Sequence, residues 1–291
     1  MQVEILKFIQ GFKTPLLDKL FELITITAEE TTIMVIVALV FWCISKDLGY
    51  RMGFIFLSGN ALNLCLKETF HTARPIGVEG IESLRTHTAH GYSFPSGHTQ
   101  TSTMFWTTLM LYCKNKLLYI ISILFFILVG FSRMYLGVHW PIDVAGGIVI
   151  GFIWVIIVNK IYDYTTKTKN GMIFLILLVP MFIGLIFFKT DSYYKACAAM
   201  LGLYIGYLIE NRYIQYETEA GLITQIIKAV LGLVILLGLK EGIKVVLPET
   251  LISDFLRYTI IGIWITAGAT YVFSKLFGNK SSIEKEPTYK A

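Results

Sequence analysis

Ser132-Arg133-Met134-Tyr135-Leu136-Gly137-Val138-His139-Trp140-Pro141-Ile142-Asp143 sets a serine, an arginine, a histidine and an aspartate between two strongly apolar segments. Burying such groups unpaired is costly, so they require partners. A helix beginning near Trp140 would carry Pro141 in its first turn, where a missing N–H does no harm. Asp143 then faces back toward His139, four residues earlier. A carboxylate in that position holds one imidazole nitrogen and leaves the other free to act. Arg133 offers a planar cation for a phosphate or a carboxylate. The blander alternative is a buried ion-pair knot that pins two helices.

Outward from this stretch the chain is apolar. Of its 291 residues, 55% are hydrophobic and 15% charged, which indicates an all-α, polytopic membrane protein rather than a soluble domain. Segments near the required length of about 20 apolar residues fall at 30–46, 50–70, 97–114, 117–136, 141–162, 171–188, 192–210, 222–246 and 254–277, a bundle of about nine spans. Residues 1–29 mix lysines and carboxylates with Leu6, Ile9, Phe12, Leu16 and Phe21, which reads as an interfacial amphipathic segment interrupted by Pro15. The alternative there is a packed cap outside the membrane. The expected organisation is this segment, a core membrane domain over 30–165, four additional spans over 166–277 and a polar tail over 278–291. Gly147 and Gly151, like Gly202 and Gly206, are small residues four apart that let helices approach closely.

The four cysteines lie in or beside apolar runs, match no metal spacing and suggest no disulfide framework. The N-terminus lacks the plan of a cleaved signal. The net charge of +5 comes from basic residues scattered beside apolar spans, which bears on topology and not on nucleic acid. With nine spans, one face receives twelve basic residues, among them Lys46, Arg51, Lys114, Lys160, Lys167 and Arg212. The face bearing the long loop 71–95 and His139 receives six outside the polar constellation and the N-terminal segment that shares it. The positive-inside rule makes the long-loop face extracytoplasmic.

Two further polar blocks belong to that face. Lys67 lies near the end of the second span, and Arg74 precedes Pro75, beyond the helix. In Pro95-Ser96-Gly97-His98, Ser96 is a good N-cap for the third span, so the N–H groups of Gly97 and its neighbours form an anion cradle at a helix N-terminus. Three cations, a helix N-terminus, two histidines and a carboxylate match a phosphoryl group and the charge that develops on it. One histidine can attack phosphorus and the other protonate the leaving oxygen. No acidic cluster of the metal-binding kind accompanies them, so no metal and no cofactor are expected.

The three blocks resemble the type-2 phosphatidic acid phosphatase superfamily, which includes vanadium haloperoxidases and glucose-6-phosphatase. Its pattern reads KxxxxxxRP, PSGH and SRxxxxxHxxxD. This sequence meets every fixed position, with 19 residues between the first two blocks and 33 between the last two. The match covers roughly residues 50–160. The resemblance implies that His139 is the nucleophile and forms a phosphohistidine, that Asp143 orients it, and that His98 protonates the leaving group and then activates water. It implies a phosphate held by Lys67, Arg74, Arg133, Ser96 and Gly97.

The function expected is hydrolysis of a lipid phosphate or diphosphate, such as undecaprenyl diphosphate, phosphatidylglycerol phosphate or phosphatidic acid, at the outer face of a bacterial inner membrane. The alternatives are hydrolysis of a soluble sugar phosphate and a non-enzymatic lipid-binding or transport role. Polar groups clustered at one end of the spans, not at the midplane, disfavour transport. His71, His87 and His90 read as interfacial or solvated side chains. Arg85, Tyr92 and Ser93, with His87 and His90, are loop groups able to serve the hydroxyls of a sugar as well as a diphosphate head group, and Glu210 with Arg212 reads as an interfacial pair.

Overall fold

Helix boundaries follow local rules. Thr14 caps α2 (Pro15–Ile26), accepting from the N–H of Leu17 and leaving Pro15 at the first helical position. Ser96 caps α5 (Gly97–Cys113) and Asn115 caps α6 (Lys116–Tyr135) in the same way. α7 (Pro141–Thr168) opens on Trp140 with Pro141 inside the first turn. The computed structural model describes residues 1–278, so the expected polar tail lies, apart from Gly278, outside the described residues. Every regular element among the described residues is helical. The others are α1 (Gln2–Gln10), α3 (Glu30–Ile44), α4 (Lys46–Phe70), α8 (Gly171–Gly184), α9 (Asp191–Ile209), α10 (Leu222–Val246) and α11 (Leu251–Phe277).

By length and composition, α6, α7, α10 and α11 are each able to cross a membrane, and the bent pair α2–α3, with 51° between its halves, makes a fifth candidate. α5 is too short and polar to qualify, for a physical reason. Thr99, Gln100, Ser102, Thr103, Thr107 and Thr108 are buried. Thr103 and Thr108 hydroxyls return to the carbonyls of Thr99 and Met104 at 2.8 and 2.7 Å. Gln100 donates to Gly59 O at 2.8 Å and accepts from Asn63 at 2.8 Å, tying α5 to α4. A helix enclosed by other helices need not present a lipid-like surface, and most of these groups find partners, the hydroxyls of Ser102 and Thr107 excepted.

The chain divides into two compact units. The first, Met1–Ile36 with Arg51–Cys197, contains the three polar blocks. In it α7 lies against α5 at Gly147, where a β-carbon would come 2.8 Å from Ser96 O and 3.2 Å from Gln100 N. This is the close approach that the small residue permits. At the far ends of α4 and α7, Arg51 pairs with Asp163 at 2.6 Å. α1 and α2 pack on the C-terminal end of α6, where Ile9 and Phe21 join Tyr135, Leu136 and Val138 in one apolar cluster.

The second unit is Val37–Tyr50 with the chain from Ala198 onward. Glu210 is fully buried there, and the expected interfacial pair with Arg212 is not formed. A buried carboxylate needs several donors. Lys46, Tyr50 and the N–H of Tyr216 supply them at 2.8, 3.0 and 2.8 Å. Arg212 lies instead over the ring of Tyr213. Of the cysteines, Cys197 is buried, and Cys113, the last residue of α5, is exposed.

Candidate active site

The stretch from Arg133 to Asp143 is shaped by its helix ends. α6 closes at Tyr135, and Gly137 takes φ +65°, a conformation that favours glycine. The chain turns there and delivers His139 to the start of α7. Asp143, at the third position of α7, accepts from the N–H of Trp140 at 2.7 Å. That is the reaching-back half of a capping box. The same oxygen, Oδ2, lies 3.3 Å from His139 Nδ1. Both side chains are buried, at 2% and 0% exposure.

Arg74 closes the other side of the imidazole. Its Nη1 is 3.0 Å from His139 Nε2 and 3.0 Å from Val138 O. A guanidinium has no acceptor, so Nε2 receives this bond and the ring proton is assigned to Nδ1, facing Asp143. Arg74 is itself fixed by His90 O at 2.7 Å and Gly91 O at 2.9 Å. Burial pushes the Arg74 guanidinium down to about 10 against the opposing charge of Asp143. Burial, with Arg74, Arg133, Lys67 and His98 around it, holds the His139 imidazole well below its ordinary pKa and therefore neutral.

Lys67, 8% exposed at the end of α4, donates to Tyr92 O at 2.6 Å and Ser93 O at 3.3 Å. Arg133 is fully buried; Nη1 donates to Thr25 Oγ1 at 2.8 Å, while Nε and Nη2 have no partner. His98 Nε2 and Asp143 Oδ1 are likewise buried without partners. Ser96 donates its N–H to Asp143 O at 3.0 Å and accepts at Oγ from Thr99 Oγ1 at 2.9 Å. Gly97 and His98 occupy the first two positions of α5, where helix geometry provides no intrahelical acceptor for their N–H groups. The charges of Arg74, Asp143 and Arg133 all act on Lys67, and those of Arg133, Arg74, Arg85 and Lys67 on His98. The three sequence blocks are therefore one cluster in space.

Residues 48–167 match the family profile described as PAP2 superfamily, and residues 194–281 match that described as PAP2 superfamily phosphatase, transmembrane extension. The chain belongs to the PAP2 superfamily. An undecaprenyl-diphosphatase from Sulfolobus acidocaldarius is 29% identical over 126 residues, which is 43% of this chain and 60% of the relative. The undecaprenyl-diphosphatase BcrC of Bacillus subtilis is 28% identical over 159 residues, 53% of this chain and 80% of the relative. Among solved structures, LpxE of Aquifex aeolicus aligns with a TM-score of 0.50 at 28% identity, covering 55% of this chain and 94% of that one.

Several members of this PAP2 site were not anticipated. Ser93 was expected to be a loop hydroxyl for a head group, but it is fully buried and donates to Asp143 Oδ2, with its oxygen 3.3 Å from His139 Nδ1. The loop folds back there, its N–H bonded to Thr72 O at 2.7 Å. Thr25, on α2, carries no sequence signal beyond being a polar residue in an apolar row. His87 and His90 are exposed, as expected; His90 contributes its carbonyl rather than its ring.

Proposed function

We propose that this PAP2 protein is an integral-membrane phosphatase that hydrolyses a lipid phosphate or diphosphate through a phosphohistidine. The observation that carries this reading is the pair of contacts on His139, with Nδ1 toward Asp143 and Nε2 toward Arg74. A neutral imidazole whose Nε2 lone pair is held by an anion-binding cation is freed to act as the nucleophile when a phosphoryl group takes over that cation.

In the first step the Nε2 lone pair attacks phosphorus, an N–P bond forms, and the P–O bond to the leaving group breaks. Asp143 stabilises the positive charge that develops on the ring. His98 gives its proton to the leaving oxygen; the bound phosphoryl dianion offsets the surrounding cations and so favours a proton on His98. In the second step His98 removes a proton from water, whose oxygen attacks phosphorus. The N–P bond breaks and inorganic phosphate leaves. Lys67, Arg74 and Arg133, with Ser96 and the first N–H groups of α5 at Gly97, hold the phosphoryl oxygens. With that charge supplied by the chain, a divalent ion is unnecessary.

The nine-span layout with the site on the extracytoplasmic face belongs to this proposal. It rests on the basic-residue bias of the opposite face. The N-terminal helices are placed in the interface, supported by the exposed apolar row of Phe8, Phe12, Leu16, Leu20 and Leu23 beside the buried Ile9 and Phe21. At head-group level a lipid reaches the site laterally with its chain in hydrocarbon, which gives local concentration and orientation. The undecaprenyl-diphosphatase names of two relatives make a prenyl diphosphate the first substrate to try. Phosphate release by purified protein from a panel of lipid phosphates, lipid diphosphates and glucose 6-phosphate in common micelles tests the reading. Turnover of the sugar phosphate as efficient as that of every lipid would overturn it.

A further inference from the structure

The family pattern supplies three cations, but a fourth stands beside them. Arg85 belongs to the loop between α4 and α5, outside the pattern, and takes a left-handed backbone conformation with φ 53°. Thr88 holds its carbonyl through N–H and Oγ1 bonds at 3.1 and 3.0 Å. Its Nη2 donates to Glu29 Oε1 at 2.6 Å, and its Nε is buried without a partner. Glu29 follows Thr25 by one helical turn, and Thr25 holds Arg133. The corner between α2 and α3 thus holds two guanidinium groups. The charge of Arg85 acts on both Arg133 and His98. Together Arg133 Nε and Nη2, Arg85 Nε and His98 Nε2 form a set of buried nitrogens with no acceptor. Of these residues Arg133 is fully enclosed.

This set exceeds what one phosphoryl group uses. Arg74, Lys67, the start of α5 and one edge of Arg133 are enough to meet the oxygens of a single phosphoryl group on His139. We propose that Arg85, with the outer edge of Arg133, forms a second-phosphate subsite on the leaving-group side, which makes a lipid diphosphate the preferred substrate. This rests on the phosphatase reading above. The chemistry of the leaving group is consistent with it. A monophosphate ester leaves as an alkoxide, which needs the proton of His98. A diphosphate leaves as a lipid monophosphate, whose second pKa is about 6, so charge neutralisation matters more than protonation. A guanidinium beside His98 supplies that neutralisation, and Glu29 gives up the guanidinium when the second phosphate arrives.

The test compares farnesyl diphosphate with farnesyl phosphate, which carry the same chain, in mixed micelles with the full-length protein. Wild type should prefer the diphosphate. Arg85→Ala should lower the diphosphate-to-monophosphate ratio of kcat/KM by about tenfold or more, the loss expected for one charge-assisted contact. Arg85→Lys should recover part of it. Glu29→Gln breaks the ion pair but keeps the cation, so the ratio should hold or rise. If Arg85 only anchors the loop, Glu29→Gln and Arg85→Ala will depress both substrates alike, and the inference fails. An unchanged ratio in Arg85→Ala overturns it as well while leaving the phosphatase reading intact. Phosphate release from neither substrate by wild type would remove both.

Discussion

Ser93 donates its hydroxyl proton to Asp143 Oδ2, the same oxygen that faces His139 Nδ1 at 3.3 Å and accepts from the N–H of Trp140. The carboxylate that orients the imidazole is therefore itself held by two donors. Such support fixes both the tautomer and the aim of the ring proposed to attack phosphorus.

Removing one donor should loosen that aim without emptying the phosphate site. Ser93→Ala is expected to lower kcat by about tenfold, the scale of one buried hydrogen bond left unmade. KM should change little. Steady-state kinetics on a lipid phosphate decides this, and activity within about twofold of wild type would show that Ser93 does not hold the pair.

The protonation state of His139 can be read directly. Burial and the neighbouring cations place its pKa well below the usual 6.5, so the neutral form should persist as pH falls through that value. In the protein labelled with ¹⁵N-histidine, the His139 signals at pH 6.5 should show a protonated Nδ1 and an unprotonated Nε2. An imidazolium at that pH would contradict the assignment.

Thr25 is the partner that the structure gives the fully buried Arg133. Thr25→Val keeps the shape and removes the acceptor. Leaving a buried guanidinium donor unpaired costs about 1–3 kcal/mol. The expected result is a lower Tm together with a severalfold higher KM; an unaffected KM would show that Arg133 is placed without help from α2.

The topology is tested by cysteines at His87 and Lys167 in a background without the native four. A membrane-impermeant thiol reagent added to intact cells should label position 87 and leave position 167 unlabelled. Labelling of both from one side would rule out the odd number of spans.

Local rules made part of this site legible in the sequence. Ser96 before Gly97 is a cap by composition, and Trp140-Pro141 marks a helix start, so the facing of Asp143 toward His139 followed from spacing alone. The joining of Lys67 and Arg74 to them came from the span count, which put the three blocks on one face, and from the split pattern, because nothing local relates residue 67 to residue 139. Thr25 and Glu29 were not legible as site residues, and Ser93 was legible only as a loop hydroxyl facing substrate. Their roles arise where the loop folds back and where α2 crosses the end of α6, contacts of long sequence separation. The sequence read 97–114 as a span like the others; the buried polar row of α5, enclosed by α4, α6 and α7, was not foreseen. Glu210 misled for the converse reason: a charged residue at a helix end reads as interfacial, whereas its three donors come from residues 46, 50 and 216.

The most direct test is to trap the intermediate. A lipid phosphate labelled with ³²P in the phosphate is mixed with the protein, quenched in alkali within the first turnovers, and the labelled peptide is sequenced. The account predicts an alkali-stable, acid-labile label on His139, absent from His139→Ala and accumulating in His98→Ala when the substrate carries a good leaving group such as p-nitrophenol. Label on His98 instead, or full turnover by a folded His139→Ala protein, would contradict it.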